Sequence, residues 1–354
     1  MRKYFIDNLR TALILLLFIH HSFWIYNSTG TVYYINGTGN LFLTLVVISQ
    51  IPWFMPLMFV LAGISTMYSL QKRTSLEYVK ERVQKLLIPL LSGILIVIPS
   101  ITYFAERFHN GYEGNYLQQY ILFFTKPTNL TGVTGGFTPG HLWFLFYLLL
   151  ISLIALPIIM LLKKYVKKIR VENIYFPVLY LLFILPYIGR SVIRISEKGL
   201  LQEFIYFMIG YFILSNDIII EKCKKYYLLS LSISLICLTC IIFEFMNIVI
   251  LPAVLVNMVK EFYTFCTILG FIGLFRKYFN IKNGVTEYFS KISFGLYIFH
   301  FSWIIGLTFY IQKYVFNIWL QLLIVIPLSL FFTIITTELC RRWLVTRKLF
   351  GLNK

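Results

Sequence analysis

The sequence predicts an all-α, polytopic integral membrane protein of about ten transmembrane helices, with both termini cytoplasmic. Three observations carry that prediction. Hydrophobic residues make up 59% of the 354 and charged residues only 13%, roughly half the charged share usual in soluble domains. Apolar runs long enough to cross about 30 Å of hydrocarbon recur from end to end, where a soluble chain would gather them into one core. The formal charge of +18 comes from short basic clusters between those runs, as in the cytoplasmic loops of a membrane chain. No stretch forms a basic domain, so nucleic acid is not an expected partner and the lipid bilayer is.

Taken in order, the apolar segments fall at about 9–27, 41–70, 86–104, 141–162, 174–189, 200–215, 227–246, 251–275, 288–311 and 318–340. The pair 174–189 and 200–215 is short for full spans, so eight helices, or a re-entrant pair, stays open there. With the amino terminus inside, cytoplasmic groups hold 25 of the 32 Lys and Arg residues. They include Arg2, Lys3 and Arg10, the Lys72–Lys85 group, "KKYVKKIR", and the basic residues after Leu339. That bias fixes the expected orientation. The first apolar run continues into His20 and His21 without a small-residue cleavage site, so it is expected to stay as helix one. The outward loops are then "NSTGTVYYINGTGN" and the stretch at about 105–140, the latter long enough to shape an extracytoplasmic site. Asn27, Asn36 and Asn129 in these loops match N-x-S/T, which matters only in a glycosylating pathway. Richness in Ile, Lys, Asn and Tyr points instead to a low-GC bacterium and its cytoplasmic membrane. One transmembrane domain over 1–354, with no fused soluble domain, accounts for the whole pattern. Cys237 and Cys240 have CxxC spacing, but no second pair follows, so no metal is expected.

An ionisable residue inside a spanning helix costs several kcal/mol unless it faces protein or water, and so is a candidate for function. Arg10 and His21 lie eleven residues apart. At 100° per residue that interval is three turns plus about 20°, with a rise of about 16 Å, so the two share a face. His20 is turned from His21 by roughly 100°, and is packing or support. Asp7, three residues before Arg10, can orient the guanidinium. Singly, Arg10 reads as a snorkelling anchor and His21 as a packing residue. Together they are better explained as two ends of one path: a cation holding an anion at the inner surface and an imidazole base deeper in. Arg82 and Lys85, at i and i+3 with Lys72 and Arg73 nearby, would serve a phosphate or pyrophosphate. His141, His300 and Glu244 are substrate-side or supporting candidates. Lys260 and Glu261 also fall within an apolar helix.

Five stretches, "KYFIDNLRTALILLLFIHHSFWIY", "FMPLMFVLAGISTMYSLQKR", "ERVQKLLIPLL", "GHLWFLFYLLL" and "ISFGLYIFHF", resemble the membrane-bound acyltransferase-3 family, in its order and over most of the chain. The specific part is the opening helix: an acidic residue, "LR", ten residues, then a histidine. The nearest flavour is the branch that modifies glucans with succinyl groups. The resemblance implies transfer of an acyl group, usually acetyl from acetyl-CoA, to a hydroxyl of an extracytoplasmic carbohydrate or envelope component. It implies Arg10 and His21 as the essential pair, and Arg82 and Lys85 as the contacts to the CoA phosphates. Lys85 stands where the family has a second arginine, which keeps charge but loses the bidentate fork. Acyl-CoA is then a substrate held near Arg10, Arg73, Arg82 and Lys85, and no permanently bound cofactor is expected. The acceptor would enter past the 105–140 loop and His141. Direct transfer with His21 as base and a covalent acyl-His21 both fit. A transporter or flippase for an envelope glycan or small anion is the alternative, although no matching pair of Gly/Pro-interrupted helices is evident.

Overall fold

The computed structural model describes residues 3–128, 130–166, 173–192, 194–195 and 198–353. Arg2, Asn129, Lys167, Lys168 and Arg170 lie outside the described residues. In chain order the helices are α1 (Tyr4–Trp24), α2 (Leu41–Leu70), α3 (Ser75–Arg82), α4 (Ile88–Ile96), α5 (Ile98–His109), α6 (Tyr116–Thr125), α7 (Trp143–Val166), α8 (Phe176–Tyr180), α9 (Ile184–Gly189), α10 (Leu200–Phe212), α11 (Asp217–Phe245), α12 (Ala253–Tyr278), α13 (Gly284–Ile311), α14 (Ile318–Arg342) and α15 (Leu344–Leu349). A π turn, Val83–Leu87, joins α3 to α4, and a 3-10 turn, Gly140–Leu142, leads into α7. A two-residue antiparallel pair, Arg194–Ile195 with Lys198–Gly199, precedes α10. Among the described residues the regular structure is otherwise helical.

Among the described residues, seven helical stretches are long and apolar enough to cross a membrane: α2, Ser75–His109, Gly140–Leu162, α11, α12, α13 and α14. Helix α1 is not one of them, because Asp7, Arg10, His20 and His21 dilute its apolar run. The segments expected at 174–189 and 200–215 are helical but short, Phe176–Gly189 and Leu200–Phe212. All ten expected segments are therefore helical, and seven are both long and apolar enough to span.

Two boundaries differ from the sequence reading. The helical stretch that carries the third apolar run begins at Ser75, ahead of the run near 86: Thr74 and Glu77 cap α3 reciprocally, with Thr74 N on Glu77 Oε2 at 2.8 Å and Glu77 N on Thr74 Oγ1 at 3.3 Å. Tyr78 anchors that polar turn, fully buried and hydrogen-bonded to Thr66 at 3.0 Å. The stretch 105–140 is only partly loop. Helix α5 runs into it as far as His109, and α6 forms behind a capping box of Asn115 and Gln118.

The chain groups into two compact units. The first comprises Met1–Leu13, Ser49–Lys80 and Leu150–Glu287. Its helices approach closely where side chains vanish: a β-carbon at Gly63 of α2 would overlap the Phe207 carbonyl of α10, and one at Gly210 of α10 would overlap the Val60 carbonyl of α2. At one end of this unit the starts of α1 and α11 and the end of α12 are tied together. Lys3 pairs with Asp217, and Asn8 Nδ2 donates to Phe279 O at 2.7 Å and Ile281 O at 2.9 Å. Glu261, buried in α12, accepts from Gln202 at 2.7 Å and from the Tyr206 hydroxyl.

The second unit comprises Ile14–Ile48, Glu81–Leu149 and Tyr288–Lys354. The part of 105–140 that remains loop is pinned within it by Glu106. That carboxylate, 3% exposed, takes Lys126 Nζ at 2.6 Å and Asn110 Nδ2 at 2.6 Å. Gly135, at φ +99, lies so close to Glu106 that a side chain there would collide with it. The α1–α2 loop belongs to the same face, since Tyr34 donates to Thr131 O at 2.9 Å.

Candidate functional site

The second unit brings together three of the four histidines singled out in the sequence. His21 closes α1, His300 sits midway along α13, and His141 sits in the turn before α7. Ring centroids of His21 and His300 are 5.2 Å apart, and those of His300 and His141 are 5.0 Å apart. Phe301 packs on His21 at 4.5 Å and Phe18 on His300 at 5.6 Å, so the cluster is walled by aromatic rings. His20 meets His21 edge-on at 5.2 Å, a supporting position. His300 is fully buried and His141 is 8% exposed, whereas His21 is only half-buried and is the member open to a reactant.

Hydrogen bonds set the tautomers of the two buried rings. A carbonyl oxygen only accepts, so His141 Nε2 donates to Ile298 O at 2.9 Å and His300 Nδ1 donates to Tyr297 O at 2.8 Å. In the neutral rings the remaining nitrogens, His141 Nδ1 and His300 Nε2, are then bare acceptors. Both are buried without a hydrogen-bond partner among the described residues, an arrangement that native interiors avoid outside functional positions. Tyr297 braces the turn by donating to His141 O at 2.6 Å. His21 Nδ1 lies 2.6 Å from the Tyr33 hydroxyl, and His109 Nε2 lies 2.7 Å from Tyr33 O, holding that loop in place.

The basic candidates divide between the units. In the first, Arg10 Nη2 donates to Ser65 Oγ at 2.7 Å and its guanidinium lies 3.5 Å from Asp7, the pairing the three-residue interval predicts. Arg73 is exposed and donates to Ser69 Oγ at 2.8 Å. In the second, Arg82 pairs with Glu81 at 3.8 Å, and Lys85 Nζ donates to Gly351 O at 2.9 Å and Asn353 Oδ1 at 3.0 Å. Arg82 ends α3 and Lys85 lies within the π turn that follows it, where the carboxyl-terminal segment takes up its ammonium. Glu244 ends α11 half-buried in the first unit, with no hydrogen bond to its carboxylate among the described residues.

Sequence reasoning missed Tyr33 and Glu106. Tyr33 sits in a glycine-rich loop with no period to place it. Glu106 looked like the first residue of a loop, although its position on the last turn of α5 marks it as a residue a helix could bury.

Helices long and apolar enough to cross a membrane thus accompany a cluster of imidazoles near the end of the helix that begins with Asp7 and Arg10. Residues 3–338 match the acyltransferase-3 family, described as an acyltransferase domain. The chain belongs to that family, and is a membrane acyltransferase. No curated protein and no solved structure shows a significant match to it.

Proposed function

We propose that the protein is an O-acyltransferase of the bacterial cytoplasmic membrane, with ten crossings and both termini inside. It moves an acyl group, acetyl or succinyl, from cytoplasmic acyl-CoA to a hydroxyl of an extracytoplasmic carbohydrate or envelope component. The observation that carries this is the meeting of His21 with His300 and His141 at the far end of the helix that begins with Asp7 and Arg10.

A thioester is already activated, so the enzyme has to align donor and hydroxyl and remove one proton. Arg10, pre-oriented by Asp7 and Ser65, and Arg73 are the cations that the first unit offers to donor phosphate, and Arg82 and Lys85 are those of the second. A hydrogen bond from His21 Nδ1–H to the Tyr33 oxygen leaves Nε2 as the lone-pair nitrogen. The acceptor hydroxyl gives its proton to Nε2 as its oxygen attacks the thioester carbon. The carbon–sulfur bond breaks, the thiolate recovers the proton, and ester and free thiol leave. The bare nitrogens of His300 and His141 supply acceptors behind His21. A covalent variant, in which His21 carries the acyl group first, uses the same residues.

The test is a proteoliposome loaded with acyl-CoA inside and given acceptor outside. Acyl groups are expected on the outside acceptor, and His21→Ala is expected to slow transfer roughly a hundred-fold or more while the protein still inserts. Full transfer by His21→Ala would sink the site. Movement of the acceptor itself, without acylation, would favour a transporter. Mass spectrometry of the modified acceptor names the acyl group.

A further inference from the structure

The face of the second unit that holds the α1–α2 loop also holds an open cleft of about 410 Å³, within the range of small-ligand sites. Its polar lining is Asn36, Thr38, Gln312 and Gln321, and its aromatic walls include Phe108 and Phe316. No charged residue lines it. Arg107 and Lys313, next in sequence to Phe108 and Gln312, lie over the Phe309 ring instead, at 5.7 Å and 4.2 Å.

The lining has unused hydrogen-bonding capacity of both signs. The half-buried Gln312 amide has no partner among the described residues, which leaves it two donors and an acceptor. Asn36 donates one N–H to Thr31 O at 3.1 Å and accepts at Oδ1 from Tyr33 N–H at 3.0 Å, so one N–H remains. Gln321 gives one N–H to Val315 O at 2.5 Å and accepts from Tyr26, and again one N–H remains. Both amides are held by these bonds in a fixed pose. Gly37 lies flat on the Tyr26 ring, where a β-carbon would collide, so the loop between Asn36 and Thr38 is seated on the floor of the cleft. Phe316 is 88% exposed, a ring presented to whatever enters.

Amides that both donate and accept suit hydroxyl groups, which do the same, and aromatic faces suit the C–H faces of sugar rings. With no cation in the lining, an acidic or phosphorylated chain would lose water around its charge and gain no partner. We infer that this cleft binds an uncharged oligosaccharide, through its amides and the Phe108 and Phe316 rings. That this oligosaccharide is the acyl acceptor rests on the transferase proposed above; the binding does not. The loop joins the two sites, because Asn36 holds the backbone of Tyr33 and Tyr33 holds His21.

The experiment titrates full-length protein in lipid nanodiscs with a neutral glucose hexamer, and with a glucuronic acid hexamer at the same ionic strength. The neutral hexamer is expected to bind, and the acidic one at least roughly ten-fold more weakly. Gln312→Ala and Phe316→Ala are each expected to weaken the neutral hexamer about five-fold, with thermal midpoints unchanged because neither side chain is in the core. Failure of the neutral hexamer to bind, equal or better binding of the acidic hexamer, or wild-type affinity in both variants would each overturn the inference. So would a Phe316→Ala variant that loosens from the nanodisc but keeps its affinity, because the ring would then be a membrane anchor. The wild-type titration is run without acyl-CoA and acyl transfer is measured separately, so a failure of the transferase proposal appears in acyl transfer and a failure of the cleft appears in the titration.

Discussion

At His21 the decisive contact is a single hydroxyl. Tyr33 meets Nδ1 at 2.6 Å, and a hydrogen bond to a ring that becomes charged in the reaction contributes about 1.5–3 kcal/mol. Tyr33→Phe is therefore expected to lower the transfer rate by roughly ten-fold or more, measured as initial rate at saturating donor. The double variant with His21→Ala should be no slower than His21→Ala alone, since the hydroxyl acts through the imidazole. A further loss in the double variant would mean that Tyr33 touches substrate directly. The neighbouring Tyr34 gives a separate pH signature. Burial pushes its phenol from 10.0 up to about 12, while a hydrogen bond to Thr138 pulls the other way. A folded value above the unfolded one means that the folded state keeps the proton longer. Stability is then fully present below pH 10 and is lost as pH rises toward 12. The thermal midpoint should fall across that window, and less steeply in Tyr34→Phe; an equal slope in the variant would remove Tyr34 as the cause. Of these contacts, only the histidines could be read from the sequence. Arg10 and His21 were legible because an eleven-residue interval on one helix is geometry in itself, whereas the convergence of His141 and His300 on His21 depends on tertiary packing that no local pattern encodes.

Among the elements, the ten apolar segments were legible because a bilayer demands about twenty apolar residues at each crossing and the chain supplies them in runs. Their ends were less so. "TSLE" is a capping box in plain sight, but the polar turn that follows reads as cytoplasmic loop until Tyr78 is seen to be buried on Thr66. The crossing of α2 and α10 carries no sequence signal of its own, since Gly63 and Gly210 sit in different segments and meet only in the fold. Their mutual fit yields a prediction. Apolar surface gives little drive for helices to associate inside lipid, so close backbone approach carries the contact. A methyl group at either glycine has backbone, not a flexible side chain, in its way. Gly63→Ala and Gly210→Ala are each expected to cost about 1–3 kcal/mol, read as a lower thermal midpoint in detergent. The two changes press on the same crossing, so their sum should not be additive. An unchanged midpoint in either variant would mean that the helices part at no cost.

For the chain as a whole, the contacts within the first unit constrain the path through the membrane. Lys3 on Asp217 puts the starts of α1 and α11 at one end, so an even number of crossings separates them. In the ten-crossing reading proposed above, α1 and α2, the Ser75–His109 stretch and α7 account for four. The segments Phe176–Gly189 and Leu200–Phe212 must then both cross or both return. Parity allows either, which is why length alone left eight and ten helices open in the sequence. With that shared end inside, as proposed from the Lys and Arg bias, the turn between the two short helices lies outside if both cross and does not reach the outside if the pair is re-entrant from the cytoplasmic face. Ser191 is an exposed residue of that turn, and a cysteine there can be tested directly. In a variant lacking the five native cysteines, Ser191→Cys is expected to react with a membrane-impermeant maleimide on intact cells, as Thr38→Cys in the α1–α2 loop should. A cysteine at Gln71, exposed in the α2–α3 turn, should react only after permeabilisation. Labelling of Ser191→Cys only after permeabilisation, with Thr38→Cys and Gln71→Cys as expected, would reduce the crossings to eight and make the short pair a re-entrant hairpin. Reversal of the Thr38 and Gln71 results would overturn the orientation itself, and with it the assignment of the donor to the cytoplasmic face.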